Sequence, residues 1–206
     1  MNTRIKIIGI CGSLRKESKT CIAINTVLAA AEKAGAEIQL IDLREYELIF
    51  CDGRDHNDYP EDVMKLRREV KCAHGVILGT PEYHGSYSGV LKNALDLMGF
   101  DEFEGKMIGL VAISAGALGG NDAFNSLRNV GRSLHAWVVP DQVSIPYVDG
   151  VIAKNGEISD GNVVTRLENL GRQVARFSYL HSSSEAKDFI RAWEEAPQNP
   201  GGEWPL

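Results

Sequence analysis

Ile5-Lys6-Ile7-Ile8-Gly9-Ile10-Cys11-Gly12-Ser13-Leu14-Arg15-Lys16-Glu17-Ser18-Lys19-Thr20 runs from a strand into a helix start with one short polar loop between. The β-branched run from Ile5 to Cys11 is too short for a helix and is closed by Gly12-Ser13, so it reads as a strand. After Ser18 the apolar residues Cys21, Ile24, Leu28 and Ala31 recur every three or four positions, with Ser18 as N-cap and Gly35 as the stop. A buried strand leading directly into an amphipathic helix is the opening of a βαβ unit, and the rest of the chain repeats it.

Glu37–Ile41 alternates and ends at Asp42, giving the second strand. The connection Leu43–Tyr59 contains Asp, Gly and Asn without a clean period and is expected to line a site. Pro60-Glu61-Asp62 suits a first helical turn, and Val63, Leu66 and Val70 continue it as an apolar stripe. Gly75–Gly79 has no polar residue, as in a strand covered on both faces. A helix over roughly Ser88–Met98 follows, then a strand at Met107–Ile113 and a helix capped by Asn121 or Asp122 and running to about Leu134. Trp137-Val138-Val139 reads as a short fifth strand, and Val163, Leu167, Leu170, Val174 and Phe177 mark the last helix. Five such units predict an α/β domain, a parallel sheet with helices on both faces.

Residues 1–181 form one domain on this reading, with no internal repeat, and 182–206 form a tail. The tail carries Ser182-Ser183-Ser184, a short helix at Glu185–Glu195, and then Pro197, Pro200, Gly201-Gly202 and Pro205; wrapping a neighbouring subunit and disorder are equally open. Between the fifth strand and the last helix, Asn155-Gly156 signals either a hairpin turn or a surface loop.

The 206 residues are 44% hydrophobic and 24% charged, ordinary for a globular chain. A net charge of −6 argues against a nucleic-acid footprint and gives no attraction to anionic membranes. No apolar run approaches the roughly 20 residues of a membrane span, and the N-terminus lacks a signal core, so a cytoplasmic location is expected. Cys11, Cys21, Cys51 and Cys72 contain no C-x-x-C pair for zinc or dithiol chemistry and read as buried thiols. No metal site is expected.

Ligands of open parallel sheets bind beyond the carboxyl ends of the strands, so the loops after the first, third and fourth strands matter most. Gly12–Thr20 combines a glycine, hydroxyls and an arginine at a helix start, which suits a phosphate, although Ser18 alone explains it as capping. It is neither a P-loop, since Glu17 and Ser18 stand where glycine and lysine belong, nor a G-x-G-x-x-G turn, since Gly9 and Gly12 lack a third glycine. Asp42 is then a strand-end turn residue. Thr80–Gly89 mixes two tyrosines, a proline and small residues, and can offer backbone amides to a planar polar ring. Ser114-Ala115-Gly116-Ala117-Leu118-Gly119-Gly120 allows close backbone approach to a ligand, or simply a sharp turn.

Together these loops resemble the NADPH-dependent FMN reductase family over roughly residues 5–180. Gly12-Ser13-Leu14-Arg15 with Ser18 resembles the family's G-S-L-R-x-x-S loop. Pro81-Glu82-Tyr83 with Leu91-Lys92-Asn93-Ala94-Leu95-Asp96 resembles its P-E-Y…L-K-N-A-[IL]-D stretch, and Ser114, Gly116, Gly119 and Gly120 its S-x-G-x-x-G-G loop. The resemblance implies a flavodoxin-like three-layer sandwich whose five-stranded sheet has the order 2-1-3-4-5. It implies bound FMN, with Ser13, Arg15, Ser18 and Thr20 at the phosphate and Pro81, Glu82, Tyr83 and His84 along the ring and ribityl chain. Ser114 and Gly116 would approach the other polar edge of the ring. Thr20, His84 and Ser88 depart from the family's asparagine, asparagine and proline; a specific role for His84 stays open.

The implied activity is hydride transfer from NADPH or NADH through FMN to an acceptor such as a quinone, free flavin, azo compound or metal oxyanion. No catalytic side chain is named, because His56, His74, His135 and His181 lie in separate units without a nucleophile partner and read as structural. The family also implies a homodimer or homotetramer with contacts near 81–100, where Met98, Phe100 and Phe103 are interface or core. The alternative function is a non-enzymatic flavodoxin-like electron carrier, disfavoured by Arg15 in the first loop and by the modest acidity.

Overall fold

The computed structural model describes residues 4–196. Its sheet is built from β1 (Lys6–Cys11), β2 (Glu37–Asp42), β3 (Gly75–Tyr83), β4 (Ser86–Tyr87), β5 (Met107–Ile113) and β6 (Trp137–Ile145). The order is β2-β1-β3-β5-β6, all parallel, with the two-residue β4 folded back antiparallel on β3. Apart from that inserted hairpin strand, this is the expected 2-1-3-4-5 flavodoxin-like order.

The helices are α1 (Lys19–Lys33), α2 (Glu61–Lys71), α3 (Gly89–Asp96), α4 (Phe100–Phe103), α5 (Asn121–Ser133), α6 (Val148–Val151), α7 (Gly161–Ser182) and α8 (Ser184–Glu194). Successive residues of each strand point to opposite faces. Ile7, Ile77 and Val111 therefore pack under α1 and α7 with Ile24, Leu28, Leu170 and Val174, while Ile8, Leu78 and Leu110 pack under α2, α3 and α5 with Leu66, Leu91 and Phe124. Covering both faces explains the nearly unbroken apolar strands.

Several expectations change in detail. β6 runs on to Ile145 instead of stopping at Val139, because it is an edge strand and its ladder with β5 shifts register around Pro140, which an edge bulge tolerates. Asn121 and Asp122 lie inside α5 and do not cap it, since Gly120 at φ 93° holds the N-cap position. Asn155-Gly156 does form a hairpin-type turn, with Gly156 at φ 90° and Ile152 bridged antiparallel to Ile158. Met98 and Phe103 are core, whereas Phe100 is half exposed and stacks on His135 at 4.3 Å between ring centroids.

The expected short tail helix is α8, which buries none of its side chains. The prolines and glycines from Pro197 onward lie outside the described residues. The reading of four buried thiols fails: Cys11 and Cys21 are joined as a disulfide with Cα atoms 5.6 Å apart, and Cys51 and Cys72 are exposed. No helix among the described residues is long and apolar enough to cross a membrane.

Candidate functional site

β1 ends where the first loop begins, and the two strand-end loops beside it are tied together by backbone. Gly12 N donates to Gly79 O at 2.8 Å, and the Ser88 hydroxyl donates to Gly12 O at 2.6 Å. A Cβ on Gly12 would sit 2.7 Å from Leu91 Cβ, so only glycine permits this approach. Ser88 also caps α3 by accepting from Leu91 N at 3.2 Å, which gives the hydroxyl a definite task where the family has proline. Ser18 caps α1 through Cys21 N at 3.2 Å. With Cys21 N so engaged and Ile22 N on Ser18 O, the N–H groups of Lys19 and Thr20 have no intrahelical acceptor.

The second loop is the hairpin of β3 and β4, with Glu82 opposite Tyr87 and Tyr83 opposite Ser86. Its two-residue turn is His84-Gly85, at φ 51° and 74°. Hairpin turns of this type need left-handed backbone at both positions, and histidine is among the few non-glycine residues enriched there. This conformation accounts for His84 at a position where the family has asparagine, which also favours it. The Glu82 carboxylate reaches the first turn of α5, accepting from Ala123 N at 3.3 Å. In the L-K-N-A-L-D stretch, Leu91 and Leu95 are core, Lys92 pairs with Asp96 at 2.6 Å, and Asn93 donates to Ile49 O at 3.1 Å. That motif therefore seats α3 in the core and ties it to the 43–59 connection.

The third loop is shaped by the Ser114 hydroxyl, which accepts from Gly116 N at 3.0 Å. Gly116 O and Ser114 O accept from Tyr147 N and Val148 N at 3.2 and 3.0 Å, so the segment after β6 lies against the loop after β5. From there Asp149 on α6 pairs with Lys19 at 2.6 Å across the loop cluster. The Lys19 ammonium, with a further contribution from Arg15, holds the Asp149 carboxyl below its ordinary range.

These loops enclose a cleft of about 180 Å³ at the carboxyl edge of the sheet. Of the expected residues, Ser13, Arg15, Pro81, Glu82, Tyr83 and Ser114 line it. Ser18 and Thr20 are buried behind its wall, and His84 and Gly116 are exposed outside the lining. Lys19, Val148 and Asp149 line it without having been expected, because they meet across 130 positions of sequence. The connection 43–59 was expected to line a site, yet none of it reaches the cleft. Two larger hollows, of about 680 and 730 Å³, lie beside α2 and α4 and beside α7 and contain none of the three loops. His56 approaches Arg67, His74 accepts from Lys6 N, and His181 meets Phe177 O, all away from the cleft.

The residues present fit a flavin phosphate at the first loop. Thr20 Oγ1 is fully buried in the first turn of α1 and has no hydrogen-bond partner among the described residues. Such an orphan hydroxyl, beside two amides with no acceptor among the described residues, suits an anion at the helix N-terminus. The Arg15 guanidinium donates no hydrogen bond among the described residues and lines the same cleft, so it is available as a bidentate phosphate partner.

The model of the family described as NADPH-dependent FMN reductase matches residues 5–150. The chain is 34% identical over 177 residues to an NAD(P)H-dependent FAD/FMN reductase of Geobacillus thermodenitrificans, covering 85% of this chain and 94% of that one. It is 35% identical over 156 residues to an NADPH azoreductase of a Bacillus species, covering 76% and 83%. Among solved structures, a flavoenzyme NAD(P)H:(acceptor) oxidoreductase from Paracoccus denitrificans shares the fold, with a TM-score of 0.67, 24% identity and coverage of 86% and 98%.

Proposed function

Because this chain belongs to the NADPH-dependent FMN reductase family, we propose that it works as an FMN-dependent NAD(P)H oxidoreductase whose flavin lies in the cleft between the first three loops. The convergence of Ser13, Arg15, Pro81, Tyr83 and Ser114 on one cleft beside the unpaired first turn of α1 carries this reading. Bound FMN would supply the two-electron chemistry, taking hydride from the nicotinamide and giving it to the acceptor.

The chain's own residues bind and orient. Ser13, Arg15 and the amides of Lys19 and Thr20 hold the phosphate, with Ser18 keeping the helix start in place and Thr20 adding its hydroxyl. Pro81, Glu82 and Tyr83 line the ring and ribityl side mainly through backbone, since the Glu82 carboxylate is already engaged at Ala123, and His84 stands beyond them in the hairpin turn, outside the lining. Ser114 faces the other polar edge, and Gly116, outside the lining, holds the Ser114 hydroxyl by donating its N–H to it. Donor and acceptor use the open side of the cleft in turn, which requires no second nucleotide fold. A quinone, free flavin or azo compound fits such a shared face, and the names of the relatives above point to the last two. Tyr83, Leu118 and Tyr147 are exposed on loops around the cleft, and a second copy of the chain covering them gives the homo-oligomer expected of the family.

The test is an anaerobic visible spectrum of the protein with FMN, followed by separate titrations with NADPH and NADH. Bound oxidised flavin that bleaches with either nucleotide is the expected result. Bound flavin indifferent to both would make the chain a carrier, and absence of flavin binding would remove the site assignment.

A further inference from the structure

We propose that Arg44 is a positioning residue for the flavin phosphate: it shapes the first loop from behind by tying two loop carbonyls to the carboxylate of Asp42. The inference rests on the reading of that loop as the phosphate cradle. Arg44 stands in the 3-10 turn Leu43–Glu45 that directly follows β2, the strand next to β1. Its Nη1 donates to Arg15 O at 3.1 Å and to Lys16 O at 2.8 Å. Its Nε donates to both Asp42 oxygens at 2.9 and 3.0 Å, and its Nη2 closes a further contact to Asp42 Oδ2. Asp42 also accepts from Arg44 N at 3.0 Å, so the guanidinium is fixed before it meets the loop.

Peptide planarity turns this anchorage into a statement about the cradle. In a trans peptide the C=O and the following N–H point in opposite directions. Drawing the carbonyls of Arg15 and Lys16 toward Arg44 therefore turns the N–H groups of Lys16 and Glu17 away from it. Arg44 itself does not line the cleft; it lines a separate hollow of about 320 Å³ behind the loop. Its charge is matched by Asp42, so it acts through loop geometry and not as a direct phosphate cation. A lysine cannot replace it, because one ammonium cannot serve a bidentate carboxylate and two carbonyls in a fixed plane.

The decisive comparison is FMN against riboflavin, which lacks only the phosphate. Dissociation constants for both are measured by flavin fluorescence quenching on the full-length chain freed of flavin, for wild type, Arg44→Ala, Arg44→Lys, Asp42→Asn and the Asp42→Asn/Arg44→Ala pair. Charged hydrogen bonds of this kind set the scale: Arg44→Ala should weaken FMN about tenfold and leave riboflavin within about twofold. Arg44→Lys should fail to restore FMN affinity, and the double variant should be no weaker than Arg44→Ala. Unchanged FMN affinity in Arg44→Ala, or equal losses for both flavins, would overturn the proposal. Should Arg44→Ala fail to fold, Asp42→Asn decides by the same FMN-to-riboflavin ratio. Wild-type protein that binds neither flavin would instead overturn the reading of the loop itself, and the proposal with it.

Discussion

The Glu82 carboxylate, at the end of β3, accepts from Ala123 N in the first turn of α5 at 3.3 Å, joining the second loop of the cleft to the helix that follows the third. A carboxylate there meets an otherwise open N–H and the positive end of the helix dipole. Glu82→Ala should therefore cost about 1 kcal/mol, with Glu82→Gln costing less. Urea unfolding midpoints at neutral pH measure both; equal midpoints for all three proteins would mean that the contact contributes nothing.

Gly12 is a point of close approach between the first loop and the residues around the second. An added methyl would meet Leu91 Cβ at 2.7 Å and Gly79 O at 2.9 Å, while Gly12 N and O are both engaged. Gly12→Ala should destabilise by about 1–3 kcal/mol, as overpacking does. A shift in the denaturation midpoint without a change of slope is the expected signature.

The Cys11–Cys21 disulfide brackets the first loop of the cleft, its ends 10 positions apart. Closing a loop of that length removes denatured-state freedom equivalent to about 2–3 kcal/mol in the chain-entropy model. Dithiothreitol should lower the stability of the wild type and leave Cys21→Ser unaffected. Identical responses of the two proteins would show that the bond is not formed in solution.

His74 couples stability to pH at the start of β3. Its Nδ1 accepts from Lys6 N at 3.0 Å, which requires the ring nitrogen's lone pair. Burial, and then Lys106 and Lys187, push its pKa below the ordinary histidine value. The folded state thus favours neutral histidine, and on acidification the unfolded chain takes up the proton first. The contribution is complete above about pH 6.5 and is lost as pH falls through the depressed folded value. Unfolding free energy measured from pH 7.5 to 5 should fall more steeply for wild type than for His74→Asn.

Local spacing was enough to place most of the architecture. The runs at Ile5–Cys11, Gly75–Gly79 and Met107–Ile113 declared buried strands, and Ser18 and Pro60 marked helix starts that α1 and α2 adopt within a residue. The positions of Ser13, Arg15, Pro81, Tyr83 and Ser114 around one cleft were also legible, since loops after parallel strands share an edge. The turn at His84-Gly85 carried a weaker signal: a left-handed histidine before glycine is an uncommon hairpin pair, so the segment read as an open loop.

By itself the sequence determined the strand and helix periods, the parallel sheet and the chemical character of the three loops, because each depends on neighbours a few positions apart. Only the tertiary structure decided that Lys19 meets Asp149, that Glu82 serves α5 in place of Asn121 or Asp122, that Cys11 bonds Cys21, and that Arg44 grips the loop at Arg15 and Lys16. Those pairings depend on strand order and on the path each loop takes over the sheet edge. Directional hydrogen bonds and ion pairs form only after the apolar faces have brought distant segments together, and residue spacing along the chain does not record that distance.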